Sequence, residues 1–274
     1  VLGGSNDGAG SVQQGFVCRG GRMLNEETYE NFWELFRSIP SLEQPQRSVT
    51  EEILNFDHAH PTCAHARLID KDAKILDVRS MGFDNADRLA MTKLLLTPEE
   101  RLDNMTIEDW FGPHFFETNF WYMWQTTFAF QKWSSLFEFR RYMNRMIFEF
   151  PRIETLEGVT RTPYNQYESV ILPLKAYLET NGVRFETGRT VTDIDFAPGE
   201  ALTATALHFA DGSAVDLREG DVCIMTNACM TDSATLGSLH APAPAPERKP
   251  VSAELWAKVA AKRPGLGNPE PFFG

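Results

Sequence analysis

The sequence predicts an α/β protein in which a largely helical module interrupts a domain of loops and strands. Three observations predict it. Glycine-rich backbone opens the chain, at Gly3-Gly4-Ser5-Asn6-Asp7-Gly8-Ala9-Gly10-Ser11 and again at Arg19-Gly20-Gly21-Arg22. The middle of the chain is dense in aromatic residues with helix start signals. The later part alternates apolar and polar residues with period two, as half-buried strands do.

The two glycine stretches admit more than one role. Residues 3–15 read either as a flexible segment or as a loop whose backbone amides cradle a phosphate or ribose. Adjacent Gly20 and Gly21 allow positive φ and close approach to a flat ligand. Arg19 and Arg22 beside them supply charge and hydrogen-bond donors, although an ordinary turn explains the same residues. No full Gly-x-Gly-x-x-Gly between a strand and a helix is present, so a dinucleotide site does not follow from this motif alone.

The helical part is expected to begin at Asn25, a capping residue for a helix over 25–38 with Tyr29, Phe32, Trp33 and Phe36 on one face, ended by Pro40. Residues 41–66 read as a long polar connection containing Asp57, His58, His60, Cys63 and His65. The stretch is either a zinc site or a histidine-rich solvent loop; its spacing matches no familiar closed zinc site, so no metal is expected. Thr97-Pro98-Glu99-Glu100 reads as a capping box, and Thr106–Trp110 as a second short helix start. From Phe115 to Phe139 the chain is apolar on nearly all sides of a helix, which means burial, as core or as the wall of an apolar tunnel. A helix around Val170–Leu178 tolerates Pro173 near its start and is capped at Asn181-Gly182.

Strands are expected at 183–187, 190–196 and 202–209, with a tight turn at Asp211-Gly212. A buried strand is expected at 221–227, ending in polar residues where open α/β sheets gather ligands. A Pro/Ala-rich linker from His240 leads to a helix around Ala253–Ala261. The resulting division is 1–24 and 164–235 as one nucleotide-binding α/β domain, 25–163 as the helical insert, and 236–274 as a linker and the start of a further module.

Composition narrows the partners. Length 274 admits one large domain or two closely associated ones. A net charge of −12 argues against nucleic acid, whose phosphates it would repel. The 20 Phe and 6 Trp suit a thick core or a large apolar cavity. Cys18, Cys63, Cys223 and Cys229 show no Cys-x-x-Cys spacing, as expected of free thiols in a reducing, cytoplasmic setting. The chain starts on Val1 and closes on Phe272-Phe273-Gly274, which is expected of a piece of a longer protein.

Several segments together resemble one family, the oleate hydratases, flavoproteins once called myosin-cross-reactive antigen. They are GGSNDGAG (3–10), GFVCRGGR (15–22), FRSIPSLE (36–43), AHARLI (64–69), NFWYMW (119–124), FAFQKW (128–133), EFRRYMNR (138–145), YNQYES (164–169) and TNACMTDSATLG (226–237). GVRFETGRTVTDID (182–195) is also similar to the second half of many FAD-binding domains. The resemblance implies an FAD-binding Rossmann-like domain, incomplete here, with an inserted, largely helical substrate or lid module. It implies hydration of the cis-9 double bond of a free unsaturated fatty acid to the 10-hydroxy acid. FAD would be bound without net redox change, its reduced form favouring activity.

The resemblance assigns roles by position. Tyr142 would be the acid that protonates the alkene; a phenol is a weak acid in water, so it needs help from its surroundings. Gln166, with Asn165, would hold the fatty-acid carboxylate. Gly4, Ser5, Arg19, Gly20, Gly21, Arg22, Met23, Val191 and Asn227 would line the flavin site. At Met23 the chain departs from the family, whose loop reads Arg-Gly-Gly-Arg-Glu and assigns water activation to that glutamate. Methionine is no base. Another group would then activate water, with Asn25, Glu26 and Glu27 the nearby candidates, or Tyr142 would carry more of the chemistry. A flavin-dependent fatty acid oxidoreductase or isomerase, or a non-catalytic fatty acid or flavin binder, are the competing readings. The resemblance leaves room for transient membrane contact through family segments outside this chain, and it does not fix an oligomeric state.

Overall fold

The computed structural model describes residues 2–65, 67–226, 235, 237–245 and 251–268. In chain order its elements are β1 (Gly8–Ser11), β2 (Gly15–Cys18), β3 (Leu24–Asn25), α1 (Glu30–Arg37), α2 (Val49–Ala59), α3 (Asn85–Leu96), α4 (Ile107–Trp110), α5 (Asn119–Phe128), α6 (Leu136–Arg145), β4 (Val159–Thr160), α7 (Leu172–Thr180), β5 (Val191–Phe196), β6 (Ala204–Phe209), β7 (Ala214–Asp216) and α8 (Val251–Lys262). This is a mixed α/β architecture of small antiparallel sheets and several helices. It divides into two compact units, one of residues 22–177 and one of residues 1–21 with 178–274.

The 22–177 unit is built around aromatic side chains. Phe115, Phe120, Trp121, Trp124 and Phe139 are fully buried. Phe111 stacks on Phe115 with ring centroids 3.8 Å apart, and Phe120 stacks on Trp124 at 5.3 Å. Offset and edge contacts of this kind add to the gain from removing the rings from water. The aromatic run is not one helix as expected. Ala129 adopts a left-handed conformation (φ 59°) that ends α5, and α6 restarts at the Ser135 cap, whose Oγ accepts from Glu138 N. The break also explains why Trp133, in the connection, is 70% exposed.

Several local expectations need correction. Asn25 does not cap a helix: it lies buried in β3, its Oδ1 accepts from Glu27 N and Thr28 Oγ1, and α1 starts only at Glu30. Residues 41–66 are not a continuous loop, because Ser48 and Glu51 form a reciprocal capping box that starts α2. Thr97 ends α3 instead of capping the short helical turn after it; its hydroxyl donates back to Lys93 O. Thr106 and Asp109 do form the capping box of α4. Before α7 a π turn over Tyr167–Ile171 widens the helix just ahead of Pro173. Proline has no N–H for the carbonyl four residues back and its ring crowds it, so a wider turn relieves the conflict. Gly182, at φ +86°, closes α7 with Val183 N donating to Leu178 O and Gly182 N to Glu179 O.

In the other unit, β1 and β2 make an antiparallel hairpin extended by Arg19 N donating to Asp7 O. Gly10 is required there, since a Cβ would lie 2.1 Å from Gly15 O. The expected strand at 190–196 and the hairpin turn at Asp211-Gly212 are present in the three-stranded sheet β5-β6-β7. Ile194 packs there with Leu255 and Val259 of α8, close to the expected helix. The strands expected at 183–187 and 221–227 are absent over the described residues. Val222 and Ile224 are 83% and 81% exposed. A strand forms only through a ladder of backbone pairs, and neither segment forms such a ladder over the described residues.

Candidate active site

The loop entering β3 is held from two sides. Gln166 Oε1 accepts from Arg22 N at 2.6 Å, and Gln166 Nε2 donates to Arg22 O at 2.6 Å, so one side-chain amide satisfies both backbone groups of Arg22. Two residues later Leu24 and Asn25 pair with Thr160 and Val159 of β4. Met23 lies between these anchors and packs, half-buried, against the aromatic cluster. Its side chain is therefore delivered to a defined place by the backbone on either side.

A buried polar brace fixes the floor of this loop. Glu149 is fully buried; its Oε1 accepts from Asn25 Nδ2 at 3.2 Å and from Arg152 Nη2 at 2.5 Å, and its Oε2 accepts from Gly158 N at 3.1 Å. Burial pushes the Glu149 carboxyl above its ordinary range, opposed by the Arg152 guanidinium. A Cβ on Gly158 would lie 1.8 Å from Glu149 Oε1, so any other residue here would push the carboxylate out of the brace. Glu149 was not legible as a functional residue, since nothing in FEFPR marks a glutamate for burial. The brace also settles the nearby carboxylates and amide: Asn25 is occupied in it, Glu27 Oε2 accepts from Arg152 Nη2 at 2.8 Å, and Glu26 pairs with His58 at 2.9 Å.

Tyr142 sits half-buried on α6 against the same aromatic cluster as Met23. Phe130 and Phe128 meet its ring edge-on at 5.2 and 5.6 Å, and the Arg145 guanidinium lies over the ring at 5.4 Å. Its hydroxyl makes no hydrogen bond among the described residues, so the phenolic proton is available to a ligand. Asn165 is engaged locally: its Oδ1 accepts from Glu168 N at 3.0 Å and its Nδ2 donates to the Glu168 carboxylate.

The other unit carries Gly4, Ser5, Arg19, Gly20, Gly21 and Val191. Gly4 takes φ +57°, and a Cβ on Gly20 would come within 3.3 Å of Ser5 O, so the two glycine stretches approach each other closely. Asn6 Oδ1, in the helical turn Gly4–Asn6 of the first stretch, is buried with no hydrogen-bond partner among the described residues. An unpaired buried acceptor beside glycine backbone fits a ligand hydroxyl such as a ribose presents. The residue types therefore fit a dinucleotide, and Asn6 adds to the expected set. Val191 begins β5 opposite Phe209. Asn227 lies outside the described residues.

His58, His60, Cys63 and His65 do not gather as metal ligands. The cluster with suitable geometry among the described residues is Asp84, Asp87 and His114. Its hydrogen bonds are already allotted. Asp84 and Asp87 cap α3, and His114 Nδ1 donates to Asp87 Oδ2 at 2.7 Å. That bond raises the His114 imidazole above its ordinary value. Cys18, Cys63 and Cys223 are free and exposed; Cys229 lies outside the described residues. No helix of the described residues is long and apolar enough to cross a membrane.

The chain is a mixed α/β protein with glycine loops in one unit and a half-buried tyrosine bordering an aromatic core in the other. The model of the MCRA family matches residues 1–274, and the chain belongs to that family. It is 44% identical over 272 residues to the linoleate hydratase of Lactiplantibacillus plantarum, covering 94% of this chain and 48% of the relative. It is 35% identical over 278 residues to the oleate hydratase of Streptococcus pyogenes serotype M49 (strain NZ131), covering 100% of this chain and 47% of the relative. The chain thus spans about half the length of these curated relatives.

Proposed function

We propose that the complete protein hydrates the cis-9 double bond of free unsaturated fatty acids, converting oleate to 10-hydroxystearate, with FAD as a bound, non-redox cofactor. The observation that carries this reading is the placement of Tyr142 and Met23 at the edge of one aromatic cluster, in a chain similar to named hydratases. The Tyr142 phenol gives its proton to C9. A water oxygen bonds to the cationic C10, and the proton that water loses returns the phenolate to phenol, so atoms and charge balance.

The surroundings of Tyr142 support that role. Aromatic edges exclude bulk water from its ring, and the Arg145 cation favours negative charge developing on the phenol. Met23 contributes no base, so water is activated through the phenolate or captured by the cation directly. Glu149 does not take the lost glutamate's place, because its oxygens already accept from Asn25, Arg152 and Gly158. Gly4, Ser5, Asn6, Arg19, Gly20 and Gly21, all in the unit of residues 1–21 and 178–274, would hold FAD, which would serve without net redox change. Gln166 acts first by fixing the Arg22 loop. The assay is incubation of the complete protein with oleate, FAD and a reductant, followed by mass spectrometry. The expected product is 10-hydroxystearate; its absence under those conditions contradicts the reading.

A further inference from the structure

An apolar cavity lies on the 22–177 unit, on the other flank of α6 from the tyrosine. It has a volume of about 490 Å³, and its walls include Phe83, Met91, Leu95, Met143, Ile147 and Phe150. Tyr142, Phe128 and Phe130 are not among the residues that line it. Successive residues on a helix are turned by about 100°, so Met143 faces this cavity while Tyr142 packs against Phe128 and Phe130. The cavity and the tyrosine share a helix and do not share a wall.

Its chemistry is specific. Most of the lining is methionine, phenylalanine, leucine and isoleucine, with Ser80, Thr92 and Arg88 adding polar atoms; thioethers adapt to irregular shape, which suits a flexible unbranched chain. The volume falls in the roughly 300–1,000 Å³ range of small-molecule sites. Arg88 of α3 also lines it, exposed, and enters no ion pair among the described residues. The neighbouring Asp84 and Asp87 are turned to the capping box and to His114, which leaves the guanidinium without a carboxylate of its own. A guanidinium without a carboxylate partner beside an apolar cavity selects an anionic head on an apolar tail.

We propose that this cavity is a second fatty-acid site, distinct from the reacting position at Tyr142, which receives an unbranched acyl chain with its carboxylate on Arg88. The proposal rests on the cavity itself and is independent of the hydration reading. It predicts that affinity rises by up to about fourfold for each methylene added to a saturated chain until the cavity is filled. It also predicts that a methyl ester competes poorly.

The test uses the complete protein and a palmitate carrying a diazirine at its terminal carbon. After photolysis, the labelled residues are read by peptide mass spectrometry, with palmitate and methyl palmitate as competitors. Labelling is expected on α3 or on residues 147–150, competed at least tenfold better by palmitate than by its ester. It should fall at least tenfold in Arg88→Glu and in Thr92→Trp, the latter filling the cavity from an exposed rim position. Labelling confined to other segments overturns the proposal, and so does labelling at the cavity that survives both substitutions. Oleate hydration by the unaltered protein is scored in parallel. Labelling without hydration sinks the reaction and leaves this site standing; hydration without labelling does the reverse.

Discussion

The 22–177 unit closes its apolar side chains into an aromatic core, whereas the unit of residues 1–21 and 178–274 leaves many of its own in solvent. In the first, five large rings are fully buried and the connections between helices are tied by capping boxes. In the second, the packed cluster is Ile194, Leu255 and Val259 with partly buried neighbours, while Val222, Ile224 and Leu239 stand exposed. The difference teaches where each kind of sequence signal is read out. A helix satisfies its backbone within itself, so an aromatic helical module can complete its core locally. A strand needs a neighbouring ladder, and a strand-like run such as 221–226 forms no strand over the described residues.

The largest effect should separate the two units. Phe120→Ala removes a fully buried ring from the aromatic core and should cost about 3–5 kcal/mol of stability in chemical denaturation. Val222→Ser, at an exposed position of the other unit, should stay within about 0.5 kcal/mol. Equal losses would break the contrast. Tyr142→Phe keeps the ring in its aromatic box and deletes only the proton donor, so oleate turnover should fall by about 10²–10⁴ while the melting temperature holds. A merely structural tyrosine would show the opposite pattern.

Gln166→Ala asks which partner the amide serves. If it fixes Arg22, the two lost hydrogen bonds, each worth about 0.5–1.5 kcal/mol, should lower kcat with little change in KM for oleate. A rise in KM alone would mean that it chiefly binds the carboxylate. Met23→Glu should retain or raise hydration, since the backbone delivers that side chain to the same edge of the cluster; a collapse in rate would give the methionine loop a mechanism of its own. The smallest effect concerns His114. Its folded-state value is raised by Asp87, so its contribution to stability is full below the ordinary value near 6.5 and is lost as pH rises through the raised one. His114→Gln should flatten that part of the pH–melting profile slightly, because the group is exposed.

Much of the helical unit was legible. The Thr106 capping box and the burial of the aromatic run follow from local rules that tertiary structure did not override, as does the Asn181-Gly182 cap in the other unit. Two helices absent from the expectations carry signals of the same kind, Ser48-x-x-Glu51 and Asp84-x-x-Asp87, within stretches whose polar residues mask them. The Asn25–Glu149–Arg152 brace was not legible, because it joins residues more than a hundred positions apart. Motif resemblance pointed to Tyr142 and Gln166, and only the fold shows Gln166 bonded to the backbone of Arg22.

The central claim is that water is added across an alkene without net oxidation. Oleate, the complete protein, FAD and a reductant incubated in H₂¹⁸O test it directly. The account predicts 10-hydroxystearate carrying one ¹⁸O at C10, with the yield collapsing in Tyr142→Phe. A product whose oxygen comes from ¹⁸O₂ instead, or a yield unchanged by Tyr142→Phe, would contradict it.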